Sequence, residues 1–136
     1  MIVIDASVAL AWIYPHERDA IADQALDAVV QSGGLVPAIW HLEVANSIAQ
    51  SLRRGRVTAS ERDLALADLS RFDIEIDPET NRQAWNVTLA LAERSGLTVY
   101  DAAYLELAHR RRLPLASLDR ELRAAAVEVG VELLGA

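Results

Sequence analysis

Met1-Ile2-Val3-Ile4-Asp5 opens the chain, and Ala6-Ser7-Val8 comes directly after it. The first four residues are apolar in a continuous run, and three of them are β-branched. The run is too short for a helix and does not alternate, which is the pattern of a strand buried on both faces. Such strands belong to parallel sheets covered by helices. The rest of the chain agrees: helices are expected over residues 7–14 and 17–31, the second carrying Ile21, Ala25, Ala28 and Val29 at helical spacing. Gly33-Gly34 ends it, and a second strand is expected over residues 35–37. A helix over 39–54 stops at Gly55. Thr58 and Glu61 form a capping box for a helix to about residue 72. Residues 73–77 predict a polar strand, and Asp77-Pro78 predicts a helix start with proline in its first turn, running to residue 95. Helix 98–112, strand 114–118, helix 119–129 and a last strand over 130–134 complete the order. Strand and helix alternate throughout, so the fold expected is α/β, a three-layer α/β/α sandwich around a mostly parallel sheet, in a single domain of 136 residues.

On that frame four acids occupy telling places. Asp5 ends the first strand and Asp119 follows Leu115-Ala116-Ser117-Leu118. Asp101 lies in the first turn of one helix and Glu43 about one turn into another. In open α/β sheets ligands bind beyond the carboxyl ends of the strands, so the topology allows all four carboxylates to reach one edge. Gathering carboxylates beside apolar surface is costly unless a cation offsets it, and a divalent metal is the cation to expect. Each acid also has a plainer reading. Asp5 and Asp119 have the type and place of helix N-caps, and Asp101 pairs with Thr98 in a capping-box pattern. Glu43, Asn46 and Gln50 form a stripe that a solvated helix face also shows.

Composition narrows the chemistry. With 52% hydrophobic residues the chain has the makings of a substantial core, and no apolar stretch reaches the roughly 20 residues needed to span a membrane. No basic leader precedes the first strand, so no signal peptide is expected. Cysteine is absent, which removes disulfide and thiolate chemistry and suits a cytoplasmic location. The net charge of −7 runs against the basic footprint of nucleic-acid binders, although two divalent ions would offset the four candidate ligands. All 13 basic residues are arginine. Arg53, Arg54 and Arg56 form one cluster and Arg110, Arg111 and Arg112 another. Both lie in last helical turns, where solvation and the macrodipole account for them as well as phosphate contact does. The absence of lysine argues against a phosphoryl-accepting aspartate site. No nucleophile elbow and no phosphate-binding glycine loop occurs. His16, His41 and His109 have no metal-binding spacing and are taken as surface or boundary residues.

Four segments together resemble the PIN-domain ribonucleases, and most of all the VapC-type toxins of toxin–antitoxin pairs: Ile4-Asp5-Ala6-Ser7-Val8, Glu43-Val44-Ala45-Asn46, residues 97–105 around Tyr100-Asp101-Ala102, and residues 115–122 around Ser117-Leu118-Asp119. The resemblance covers essentially the whole chain, and Ser117 stands where the family often has threonine. It implies an endoribonuclease dependent on Mg2+ or Mn2+, with Asp5 and Asp101 as principal metal ligands and Glu43 and Asp119 completing the acidic pocket. Ser7 and Ser117 would orient carboxylates or metal-bound water, Asn46 would do the same or contact the phosphate, and Arg53, Arg54, Arg56 and Arg120 at the rim would draw RNA. It also implies a homodimer held inactive by a small antitoxin, for which Trp12, Tyr14 and Trp40 offer an apolar groove if they are not simply core. Two other readings stay open: a catalytically silent metal- or partner-binding module, and a nuclease of RNA or DNA processing.

Overall fold

The structure is a computed structural model and describes residues 1–14 and 19–135. The expected start of the second helix and His16 fall in residues 15–18, outside the described residues. Strand β1 (Ile2–Ile4) leads into α1 (Ala6–Ile13), followed by α2 (Ala20–Ser32) and β2 (Gly34–Val36). Next come α3 (Trp40–Arg53), α4 (Ala59–Leu69) and β3 (Ile74–Ile76). A helical segment then runs through α5 (Thr80–Gln83), a π-helical turn (Ala84–Thr88) and α6 (Leu89–Ser95). The order closes with α7 (Val99–Arg111), β4 (Leu115–Ala116) and α8 (Arg120–Glu128).

The four strands form one parallel sheet in the order β3-β2-β1-β4, flanked by helices in a three-layer α/β/α arrangement. The β-branched run at the N-terminus becomes the inner strand β1, with Ile2, Val3 and Ile4 at most 2% exposed. Its registers, Val3 beside Leu35 of β2 and beside Leu115 of β4, seat it in the middle of the core. Burying side chains of this size stabilises the sheet by about 2 kcal/mol each. From β1 the chain steps to β2 on one side, whereas β4 adds on the other, so the order reverses between β1 and β4. That reversal opens a crevice beyond the carboxyl ends of these two strands.

Three local expectations are corrected. Residues 130–134 do not form a strand. They make one parallel bridge, Leu133 with Leu115, and two backbone hydrogen bonds to Leu115, because Gly130 turns the chain at φ 78 and β4 itself is only two residues long. Asp77 does not cap a helix that opens at Pro78. Its carboxylate accepts Glu79 N at 3.2 Å, Arg110 Nη2 at 2.6 Å and Thr80 Oγ1 at 3.1 Å, and the helix begins two residues later, at Thr80. The helix expected to run unbroken to residue 95 carries the π turn, which holds one residue more than an α turn. The capping box of α4 is present in both halves: Glu61 N donates to Thr58 Oγ1 and Thr58 N to Glu61 Oε1.

Trp40 and Tyr14 are buried, and the indole of Trp12 donates to Ala22 O at 2.8 Å while meeting Phe72 edge-on. Tyr14 and Trp40 are therefore core residues, and Trp12, partly buried, packs against the core. Arg110 is not a free phosphate ligand either: it bridges Asp77 on the β3 side to Glu106 on its own helix. That triad ties α7 to the end of β3. Burial alone would raise the Asp77 pKa, but the Arg110 bonds and the Glu79 amide outweigh it and hold the carboxyl below its ordinary range.

Candidate active site

The crevice at the ends of β1 and β4 gathers the acids. Asp5 leaves β1 in extended conformation and caps α1 through Val8 N at 3.2 Å. Two hydroxyls bracket its carboxylate: Ser7 Oγ donates to Oδ1 at 2.6 Å and Ser117 Oγ to Oδ2 at 2.5 Å. Each hydroxyl also accepts a backbone N–H from the loop after β4, Ser7 from Leu118 and Ser117 from Asp119, both at 3.0 Å. The two serines thus lock the end of β1 to the end of β4 and fix the Asp5 rotamer. Asp119 in turn caps α8, accepting from Glu121 N at 2.9 Å and Leu122 N at 3.3 Å. Capping and convergence coincide at these aspartates. A strand that ends at the crevice and starts a helix there needs an N-cap at that point, and a capping carboxylate retains unused oxygen lone pairs.

The remaining two acids come from helices. Thr98 caps α7 and accepts Asp101 N at 3.1 Å, which sets Asp101 in the first turn. Tyr104, one turn further on the same helix face, is buried and donates from its hydroxyl to Glu43 Oε1 at 2.5 Å, joining α7 to the first turn of α3. The acids act on one another. Burial pushes Asp5 from 3.8 up to about 6, with Asp119 adding to the rise while Ser117, Ser7 and the Val8 amide oppose it. Burial also raises Asp101, and Asp119 and Glu121 raise it further against the Thr98 bond. Glu43 is raised by burial and by Asp101, partly offset by the Tyr104 bond. Tyr104 is pushed well above its ordinary value by burial, by its bond to Glu43 and by the charges of Asp5 and Asp101, so it donates at every working pH.

Carboxylates held above their ordinary pKa by burial and by one another are stabilised by a cation, and an all-oxygen donor set suits a hard divalent ion. Among the described residues no group of three or more His, Cys, Asp or Glu side chains is arranged so that it could hold a metal ion.

Other candidates lie apart. Asn46 is exposed one turn beyond Glu43. Arg120, the first residue of α8, is exposed beside Asp119. Arg53, Arg54 and Arg56 are exposed at the far end of α3, about 15 Å along the helix from Glu43. Sequence reasoning misses Tyr104 and Glu121 as members of the cluster. Tyr104 does carry a local signal, being three residues after Asp101 on one helix face, whereas its bond to Glu43 spans 61 positions and leaves no local trace.

Comparison with known proteins adds to this geometry. The sequence matches the PIN domain over residues 2–128. It is 34% identical to Ribonuclease VapC3 of Pyrobaculum aerophilum over 121 residues, covering 89% of this chain and 91% of that one. It is 38% identical to Exonuclease VapC9 of the same organism over 92 residues, 64% of this chain and 65% of that one. The crystal structure of PAE2754, also from Pyrobaculum aerophilum, superposes with a TM-score of 0.67 at 26% identity, covering 90% of this chain and 82% of that one.

Proposed function

The chain belongs to the PIN-domain family and is of the VapC type, and from that premise we propose that it is a metal-dependent endoribonuclease acting as the toxin of a toxin–antitoxin pair. The observation that carries the reading is the set of mutually perturbed carboxylates at the β1/β4 crevice, above all Asp5, buried at 6% exposure and pushed to about 6. Asp5 and Asp101 would hold the ion, Mg2+ or Mn2+, with Asp119 and Glu43 beside them. When bound, a divalent ion supplies the Lewis acidity that activates water and offsets charge on the scissile phosphate.

This chain's own residues do the rest. Ser7 and Ser117 fix the Asp5 carboxylate by accepting from the β4 loop and donating to each oxygen. Tyr104 does the same for Glu43 from inside the core. Asn46, exposed on the same helix face, would meet the substrate. Arg120 at the rim offers charge next to Asp119, and Arg53, Arg54 and Arg56 would grip phosphates flanking the cut rather than the scissile one. An RNA drawn to an acidic crevice needs such arginines, because the protein as a whole carries −7.

The antitoxin would be a short protein segment laid on the helices beside the crevice. A mostly apolar groove of about 240 Å³ between α3 and α4, lined by Trp40, His41, Val44, Ala45, Leu66, Leu69 and Ser70, would receive it. Two working copies of the chain and a cytoplasmic setting complete the proposal. No helix among the described residues is long and apolar enough to cross a membrane. Sequencing RNA ends after brief expression tests the reading. Wild type should generate new internal ends that Asp5→Asn does not. Identical end profiles for the two proteins would refute ribonuclease action at this site.

A further inference from the structure

Tyr100 directly precedes Asp101 in the first turn of α7 and is 59% exposed. Leu42, 67% exposed, holds the same place before Glu43 in α3. Both helix-borne acids of the crevice thus have a large neighbour with apolar surface left open to solvent. Among the described residues no hydrogen bond, ion pair or ring contact holds the Tyr100 side chain.

Helical spacing gives that side chain its direction. Tyr100 and Tyr104 are one turn apart and about 40° apart around the axis, and Asp101 lies about 60° beyond Tyr104. Tyr104, between the two, faces Glu43, which its hydroxyl reaches at 2.5 Å, and it feels the charges of Asp5 and Asp101. Tyr100 therefore shares the crevice side of α7, about 6 Å nearer the helix start than Tyr104. Tyr104 is enclosed in the core, whereas Tyr100 at the open end keeps a free aromatic face.

We propose that Tyr100 is the stacking platform for a base next to the cleaved phosphate, a role that rests on the nuclease reading above. The acids and their ion would take the phosphate, and carboxylates offer nothing to the flat face of a base. An exposed phenol ring does, wherever the RNA is unpaired and the base has left its own stack. Every base has such a face, so Tyr100 fixes where the strand lies rather than which sequence it carries. Leu42 adds apolar contact on the α3 side but has no ring to stack.

The cut is first mapped with wild type. Oligonucleotides spanning it are then made in which each base flanking the cut is in turn replaced by 2-aminopurine or removed. Tyr100→Ala and Tyr100→Phe are compared with wild type in Mg2+, after circular dichroism has checked each fold. Stacking acts alike on bound substrate and transition state, so Tyr100→Ala should raise KM about 5- to 150-fold with kcat nearly unchanged. Tyr100→Phe keeps the ring and should keep the wild-type KM. At one flanking position 2-aminopurine should lose fluorescence on binding wild type and not on binding Tyr100→Ala. Removing that base should raise KM for wild type and leave Tyr100→Ala no weaker. If wild type cuts no RNA, the nuclease reading falls and this role falls with it. If wild type cuts, an unchanged KM in Tyr100→Ala overturns the role alone and leaves Tyr100 as surface for a protein partner. A Tyr100→Phe as weak as the alanine variant overturns it too, as does an alanine penalty that persists when either flanking base is gone.

Discussion

Replacing Asp5 by Asn should stabilise the metal-free protein, and the size of the gain comes from the site. The native carboxyl titrates near 6 against an ordinary 3.8. At 1.36 kcal/mol per pH unit, ionising it costs the fold about 3 kcal/mol. The sign is that of a group with a raised native pKa. The native state holds the proton more tightly than the unfolded chain, so stability is full below about pH 4, falls as pH rises, and has lost that amount by about pH 7. Asparagine carries no charge and removes this loss. It must still take its hydrogen bonds from Ser7 Oγ, Ser117 Oγ and Val8 N, all of which donate to carboxylate oxygens in the native protein. One of the hydroxyls has to rotate to accept the new amide, at a cost of about 1 kcal/mol. The expected net gain at pH 7.5 is about 2 kcal/mol, or a rise in Tm of roughly 7 °C for a chain of this size. Urea unfolding in chelator between pH 4.5 and 8 measures it. Wild type should lose stability across that range. The Asp5→Asn curve should be much flatter, with only the smaller contributions of Glu43 and Asp101 remaining. Saturating Mn2+ should reverse the order at pH 7.5, stabilising wild type and leaving Asp5→Asn unmoved. Parallel pH curves for the two proteins in chelator would refute the argument that burial strains this carboxylate.

Tyr104→Phe removes one buried donor and should cost about 1–2 kcal/mol in urea unfolding; without that bond Glu43 titrates higher still, and Mn2+ affinity near pH 6 should fall, read by calorimetry. Arg110→Ala leaves Asp77 and Glu106, whose side chains are 1% and 4% exposed, without their shared cation. That variant should lose about 3 kcal/mol in denaturant unfolding while the local geometry at Asp5 keeps its metal response. Arg112 ends α7 in the left-handed region at φ 54, so Arg112→Gly should gain about 1 kcal/mol in thermal unfolding. Replacing Arg53 and Arg54 by alanine should raise KM for RNA with little change in kcat and should flatten the salt dependence of binding, measured by titration at several ionic strengths.

The candidate site is legible in the sequence chiefly because topology is. A continuous β-branched run followed by Asp5, and Leu115-Ala116-Ser117-Leu118 followed by Asp119, mark strand ends, and in a parallel sheet strand ends share an edge. From sequence, capping and clustering are rival readings of these aspartates. In the structure both hold, since the same carboxylate satisfies helix amides with one face and meets its neighbours with another. What stays hidden is set by tertiary contact. The Tyr104–Glu43 bond and the Asp77–Arg110 bond join residues far apart in sequence. Asp77-Pro78 carries a helix-start signal, and Asp77 does accept the Glu79 amide, but the helix starts at Thr80 and the same carboxylate also binds Arg110. Residues 130–134 have strand composition, but a two-residue β4 gives them a single partner. The π turn at Ala84–Thr88 has no local signature among ordinary helix formers, and it lies in the segment that exposes Trp85.

If these carboxylates serve a metal-dependent cleavage of RNA, the purified protein should cut a mixed RNA substrate when Mg2+ or Mn2+ is present. Chelator and Asp5→Asn should each abolish cutting while circular dichroism shows the fold intact. Cleavage that continues unchanged in chelator, or in the Asp5→Asn protein, would overturn the role given to this site.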